Sequence, residues 1–508
     1  MEIVAKILRL FCDTLDSGQR ARVLQGFPEN YSTGGCHKMG QNYFTELYPP
    51  VWGKAAKNKQ IMKFAEGYKK FLSTCKTERE TAAEIVRQAE AAGYKNLDDL
   101  YAAGKKLKAG DKVYALRQNK AAALFVIGRK ALTEGLHLLV SHMDAPRLDL
   151  RPNPLYEKDG YAIMKTHYYG GVKKYQWVAR PLALHGVVVK KGGKHVNVTV
   201  GEDENDPVLY ISDLPAHLSA KQREKTMAEG ITGEDLNVIV GSEPLEGKND
   251  EPVKKFILKH LKDKYGIDEK DFVSAEFEVV PAGRARDAGL DGSLIASYAH
   301  DDRICVYTSL QAVLETENPE YTAGALFVDK EEVGSQGNSG MNSHYMENLV
   351  SRLVSLAGGN EMALRLSLEN SMLLSADVTL GYDPNYADCF EVNNTARLGS
   401  GPVFTKYAGS RGKSGCNDAN AEFLALMRDV LDDAGVQWQT GGYGRIDLGG
   451  GGTIAPFASR YGMHVLDCGV ALLSMHAPSE LASKADVYET ARAYAAFLSC
   501  SADIRKYQ

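Results

Sequence analysis

The spacing of apolar and polar positions changes several times along the 508-residue chain. Up to about residue 110, apolar residues recur every three or four positions among Ala, Leu, Glu and Lys. That spacing predicts helices over 80–92 and 96–107. Ile3, Val4, Ile7, Leu8 and Phe11 keep it too, with Lys6 and Arg9 between them. Residues 1–16 therefore read as an amphipathic helix, not as a signal segment. Gly34-Gly35-Cys36-His37-Lys38 interrupts as a loop. From Lys112 the period shortens to two, and 112–117 with 122–127 predict a hairpin across Gln118-Asn119-Lys120. Short apolar runs at 136–142, 294–300, 323–327, 373–376 and 465–468 read as buried strands. Helices are expected at 306–314, 421–434 and 485–500.

Residues 152–290 differ in texture. Short β-like runs (184–189, 195–200, 277–280) and helical stretches (219–230, 253–264) lie among connections rich in Gly, Pro and charge. Pro152-Asn153-Pro154 and Pro281-Ala282-Gly283 mark the expected borders. A chain of this length exceeds one core. We expect an α/β domain split into 1–151 and 291–508 by an inserted domain at 152–290.

With 44% hydrophobic and 25% charged residues, the composition is that of an ordinary globular protein. A net charge of -5 leaves no electrostatic footprint for nucleic acid or an anionic membrane. The apolar block 121–127 is far short of a membrane span. Eight scattered cysteines with no CxxC suggest reduced thiols, and a cytoplasmic home is expected.

Chemistry gathers where the strands end. The run 323–327 leads into Asp329-Lys330-Glu331-Glu332, and adjacent carboxylates oppose each other's ionisation unless a cation relieves them. Strand 136–142 ends in His142 with Asp144 two residues on, close enough to orient the imidazole. Asp301, Asp377 and His476 stand at three further ends. In open α/β sheets such ends meet, so residues remote in sequence converge. Two His and three carboxylates, one bridging, suit two Zn²⁺ ions, with Co²⁺ or Mn²⁺ also tolerated. Such a pair polarises a carbonyl and acidifies water, leaving Glu331 as general base. The run Gly449-Gly450-Gly451-Gly452 has no Lys-Ser/Thr after it and is no phosphate-binding loop.

These motifs resemble those of the M18 family of metallo-aminopeptidases. The match runs through Ser141-His142-Met143-Asp144-Ala145-Pro146-Arg147-Leu148, Asp301-Asp302-Arg303 and Glu331-Glu332-Val333-Gly334-Ser335. It continues through Asp377, Pro384-Asn385-Tyr386 and Gly452-Thr453-Ile454, and closes on Leu473-Ser474-Met475-His476 and Glu480. The resemblance implies a di-zinc exopeptidase α/β/α sandwich, interrupted by a β-rich dimerisation domain and assembled from dimers into dodecamers that act on peptides. It implies His142 and Asp377 on one zinc, Glu332 and His476 on the other, Asp301 bridging, Glu331 as base and Asp144 orienting His142. It also implies that His217 reaches a neighbouring subunit's active site. The family's aspartyl-specific members carry histidines after the Asp ligand, where this chain has Val378-Thr379-Leu380-Gly381-Tyr382-Asp383. Losing those partners, and placing Asp383 nearby, points to neutral or basic N-terminal residues over acidic ones, although Lys406 is left as a cation that could meet an acidic side chain. An aspartyl aminopeptidase and a di-zinc deacylase on the same core are the alternatives.

Overall fold

Four short parallel strands at the centre of the molecule are mostly apolar because both of their faces are covered. The structure, a computed structural model, describes residues 48–248 and 250–508; the helix expected over 1–16 and the loop at 34–38 lie outside the described residues. Leu136–His142 sits between Thr322–Val328 and Met372–Ser375, and His464–Gly469 follows, all four parallel. The expected hairpin, Lys112–Arg117 with Ala121–Val126, extends the sheet antiparallel on one side. Its turn takes positive φ at Gln118 and Asn119, the left-handed conformation that tight hairpin turns use. Val403–Thr405 extends the other side, and two further strands complete a mixed sheet of nine.

Alternate residues of each strand feed opposite cores. Leu139, Leu374 and Leu466 pack with the helices Ala55–Thr74, Glu78–Ala91, His300–Glu315, Ala421–Asp433 and Lys484–Ser499. Leu138, Leu373 and Val465 pack with Tyr345–Leu356, Glu361–Glu369 and Ala455–Ser459. Each such leucine, fully buried, contributes about 1.5–3 kcal/mol. The sheet is thereby a rigid floor whose carboxyl ends are held in place.

Two expected helices come out shorter. The second forms only over Leu97–Ala102, ended by Gly104 in a left-handed conformation. The stretch 219–230 breaks into Ala220–Arg223 and Met227–Gly230; neither turn buries a residue, so nothing holds them as one helix.

Residues 147–281 build a second, seven-stranded sheet with its own core around Leu148, Met164, Leu182 and Val279, closed by the helix Pro252–Tyr265. Strand Arg147–Lys158 runs through the expected border at 152, and its register shifts between Leu150 and Leu155, where Pro152 and Pro154 donate no hydrogen bond. A five-stranded sheet contains Leu294–Ser297, Ala471–Leu473 and Glu480–Ser483. Residues 50–508 cluster as one unit. Among the described residues the cysteines are free thiols, and no helix is long and apolar enough to cross a membrane.

Candidate metal centre

His142 is the last residue of its strand, and Asp144 follows it into the loop. Asp377 lies two residues past Met372–Ser375. Glu331 and Glu332 open a one-turn helix after Thr322–Val328, entered through Lys330 at φ 68°. These residues come from the carboxyl ends of three adjacent parallel strands. The other two expected ligands do not, which corrects the picture of five ends of one sheet. Asp301 sits at the start of helix His300–Glu315, behind a strand of the five-stranded sheet. His476 lies in the loop between two more strands of that sheet. Their strands are too short and too mixed for sequence to assign them to a separate sheet.

The carboxylate of Asp301 joins two groups of potential ligands. Its Oδ1 is 3.2 Å from His142 Nε2, which is 3.7 Å from Asp377 Oδ1. Its Oδ2 is 3.2 Å from His476 Nε2, which is 3.4 Å from Glu332 Oε2. Within each group the donor atoms all lie within 4.8 Å of one another. The His142 side chain is 2% exposed and that of His476 36%, so the second group is the one open to solvent.

The backbone is tied to the same carboxylates. His142 Nδ1 lies 3.0 Å from the Asp144 carbonyl and 3.3 Å from its Oδ1, fixing the ring. The carboxylate of Asp144 has further partners: it accepts from the backbone N–H of Glu331 and of Glu332 at 3.1 Å each and from the Tyr169 hydroxyl at 2.8 Å. Glu480 accepts from His476 N at 2.7 Å and from Asp301 N at 3.1 Å, tying the two residues from the small sheet together. Gly171 supplies a carbonyl 3.1 Å from His476 Nδ1. Asp144 and Glu480 stood in the motifs; Tyr169 and Gly171 gave no sequence signal beyond a polar strand end.

Too many carboxylates share this space. Burial and the neighbouring Asp301 charge push Glu332 well above the usual carboxylate range. Burial likewise pushes Glu331 up to about 8, reinforced by Asp377, Asp144 and Asp301. Burial opposes charge on His142 and His476, yet the surrounding carboxylates raise both, His476 to about 10. A divalent cation in each group would relieve this crowding. The donors fit zinc: imidazole nitrogens and carboxylate oxygens only, with the buried Oε1 of Glu332 lacking any hydrogen-bond partner.

A family model for aminopeptidase I zinc metalloproteases (M18) matches residues 71–498. The chain belongs to the M18 family. It is 52% identical over 462 residues to a probable M18 family aminopeptidase 1 of Clostridium acetobutylicum, spanning 90% of this chain and 99% of that protein. The crystal structure of an M18 aminopeptidase from Thermotoga maritima superposes with a TM-score of 0.85 at 43% identity, over 89% of this chain and 99% of that one. A Saccharomyces cerevisiae structure described as an mApe1 dodecamer shares the fold at 20% identity, with a TM-score of 0.70 over 85% of this chain and 96% of that one. The protein is thus a metallo-aminopeptidase of a zinc family.

The two expected substrate contacts come from elements other than those that carry the candidate ligands. Lys406 follows strand Val403–Thr405, is 48% exposed, and pairs with Asp418 Oδ1 at 3.1 Å. His217 lies on an exposed stretch before the turn Ala220–Arg223. The run Gly449–Gly452 serves packing: Gly451 accepts a hydrogen bond from Gly409 N at 2.7 Å, and a Cβ would run into the Tyr443 carbonyl oxygen if placed on Gly449 and into the Gly409 carbonyl oxygen if placed on Gly450.

Proposed function

We propose that this M18 enzyme is a di-zinc aminopeptidase that removes neutral or basic N-terminal residues from peptides. The observation that carries the reading is the shared Asp301 carboxylate, one oxygen toward His142 and Asp377, the other toward His476 and Glu332. His142 and Asp377 would hold one zinc and Glu332 and His476 the other, with Asp301 bridging. When bound, the ions supply Lewis-acid polarisation of the scissile carbonyl and acidify the attacking water. Asp301 and the backbone ties of Glu480 keep the two groups in register. Asp144 holds the backbone of the Glu331–Glu332 turn by two hydrogen bonds, and the Glu331 carboxyl group lies near enough to His142, Asp377 and Asp301 to feel their charges. Glu331 takes a proton from the attacking water and returns it to the leaving amine.

The preference against acidic residues rests on Lys406, whose charge is already met by Asp418, and on the absence of histidines between Asp377 and Pro384. Residues 152–290 would form a dimerisation domain inserted between the catalytic segments 1–151 and 291–508, and dimers would assemble into a dodecamer. Exposed Val208, Leu214, Leu218 and Met227, flanking His217, supply apolar surface suited to a subunit contact that carries His217 toward a neighbour's site.

Turnover of Leu-, Lys- and Asp-nitroanilide by the zinc-loaded protein tests the specificity. Leu or Lys should exceed Asp at least tenfold in kcat/KM, about 1.4 kcal/mol of discrimination. A dominant Asp rate would contradict the preference, and cleavage only of amine-blocked substrates would favour the deacylase.

A further inference from the structure

We propose that Tyr169, with Gly170 and Gly171 after it, is the positioning element through which the second sheet sets the catalytic base. The proposal rests on the reading of Glu331 as base. Tyr169 is the last residue of strand Tyr161–Tyr169 in the seven-stranded sheet, whereas the residues it reaches follow strands of the central sheet. Its hydroxyl donates to Asp144 Oδ2 at 2.8 Å. That same oxygen accepts from Glu332 N, and its partner Oδ1 accepts from Glu331 N. The hydroxyl therefore fixes the rotation of the carboxylate that in turn fixes the turn carrying the base.

The Tyr169 ring is itself held. The Arg147 guanidinium lies over it, 4.0 Å from the centroid. Arg147 is buried and paired with Asp149 at 2.8 Å, Glu278 at 3.3 Å and Glu78 at 3.4 Å. Glu78 begins a helix of the central unit, while Asp149 and Glu278 belong to strands of the second sheet. Arg147 thus pins the ring at the seam between the two layers.

The two glycines let the backbone come close. A Cβ on Gly170 would lie 3.3 Å from Glu332 Cβ, and Gly170 has φ +72°. A Cβ on Gly171 would lie 3.0 Å from His476 Nδ1, the atom its own carbonyl meets at 3.1 Å. One short segment from the second sheet therefore touches the base turn through Asp144 and the open ligand group through Gly171. Its side chain and carbonyl act on residues that act on substrate, so Tyr169 is a positioning residue and not a catalytic one.

The test compares Tyr169→Phe, Glu331→Gln and the double variant, each zinc-loaded, by kcat, KM, bound zinc and melting temperature. Tyr169→Phe keeps the ring under Arg147 and removes only the hydroxyl. We expect kcat to fall about tenfold, the scale for losing a partner behind a reacting group, with KM, zinc content and melting temperature unchanged. In the Glu331→Gln background the same change should cost nothing further, because its effect runs through the base. An unchanged kcat in Tyr169→Phe, a loss of zinc in step with activity, or the same tenfold loss in both backgrounds would each overturn the proposal. Failure of the underlying reading looks different: Glu331→Gln would keep its rate.

Discussion

At the scale of single residues, the centre is an excess of buried negative charge arranged around one carboxylate. Asp301 presents separate oxygens to His142 and His476 at equal distance, which a single ion pair would not require. Glu331 belongs to neither ligand group and is pushed to about 8 by burial and by its acidic neighbours. A carboxyl group beside both groups but outside the ligand set can take up and release a proton without giving up a metal. Glu331→Gln should therefore lower kcat about 10²–10⁴-fold while retaining zinc and melting temperature; wild-type turnover would remove Glu331 from the mechanism. His142, Glu332 and Asp377 were legible in the sequence because each follows an apolar run. A His or carboxylate at the end of a buried strand must find a charge partner or a cation. Tyr169 and the Gly171 carbonyl were not legible. A phenol at a polar strand end and a backbone oxygen leave no pattern, and their importance exists only once two sheets meet.

At the scale of elements, the helix Glu78–Ala91 shows how local rules and long-range contacts share residues. Thr77 and Glu80 form a capping box at its start. Glu80 also accepts from His185 Nδ1 at 2.8 Å, and His185 Nε2 lies 3.2 Å from Glu202, with Lys76 beside the same Glu202 at 3.8 Å. Burial disfavours a charged His185, but Glu202 and Glu80 outweigh it and raise the imidazole to about 8. Unfolded histidine titrates near 6.5. The folded pKa is the higher one, so this contact contributes fully below about pH 6.5 and is lost as pH rises through about 8. It is worth on the order of 1–2 kcal/mol. The stability gap between wild type and His185→Gln, read from urea midpoints, should narrow between about pH 6 and pH 9. A gap that stays constant would contradict the assignment. The hairpin, the central strands and the helices Glu78–Ala91, Pro252–Tyr265, Ala421–Asp433 and Lys484–Ser499 were legible because their periods are strong, whereas Tyr345–Leu356 and Glu361–Glu369 were not anticipated. The stretch 219–230 was not, since its spacing is helical yet neither of its turns finds a surface to bury against.

At the scale of the whole molecule, the site is a meeting of three sheets. The nine-stranded sheet provides His142, Glu331, Glu332 and Asp377; the five-stranded sheet carries Asp301 and His476; the seven-stranded sheet brings Tyr169 and Gly171 against them. No one layer holds a complete ligand set, so metal binding should depend on their joint packing. Sequence could list candidate ligands but could not show that they come from different sheets, because pairing partners lie far apart along the chain: Leu294–Ser297 pairs with Glu480–Ser483. The central claim is that one carboxylate serves two metal ions, and zinc content per chain in wild type and Asp301→Asn tests it most directly. We predict about two zinc ions per wild-type chain and weakened binding of both in the variant, since the change turns one oxygen into a non-ligating NH₂ and removes from both groups the negative charge they share. A single ion in the wild type, or a variant that keeps the full wild-type content, would contradict it.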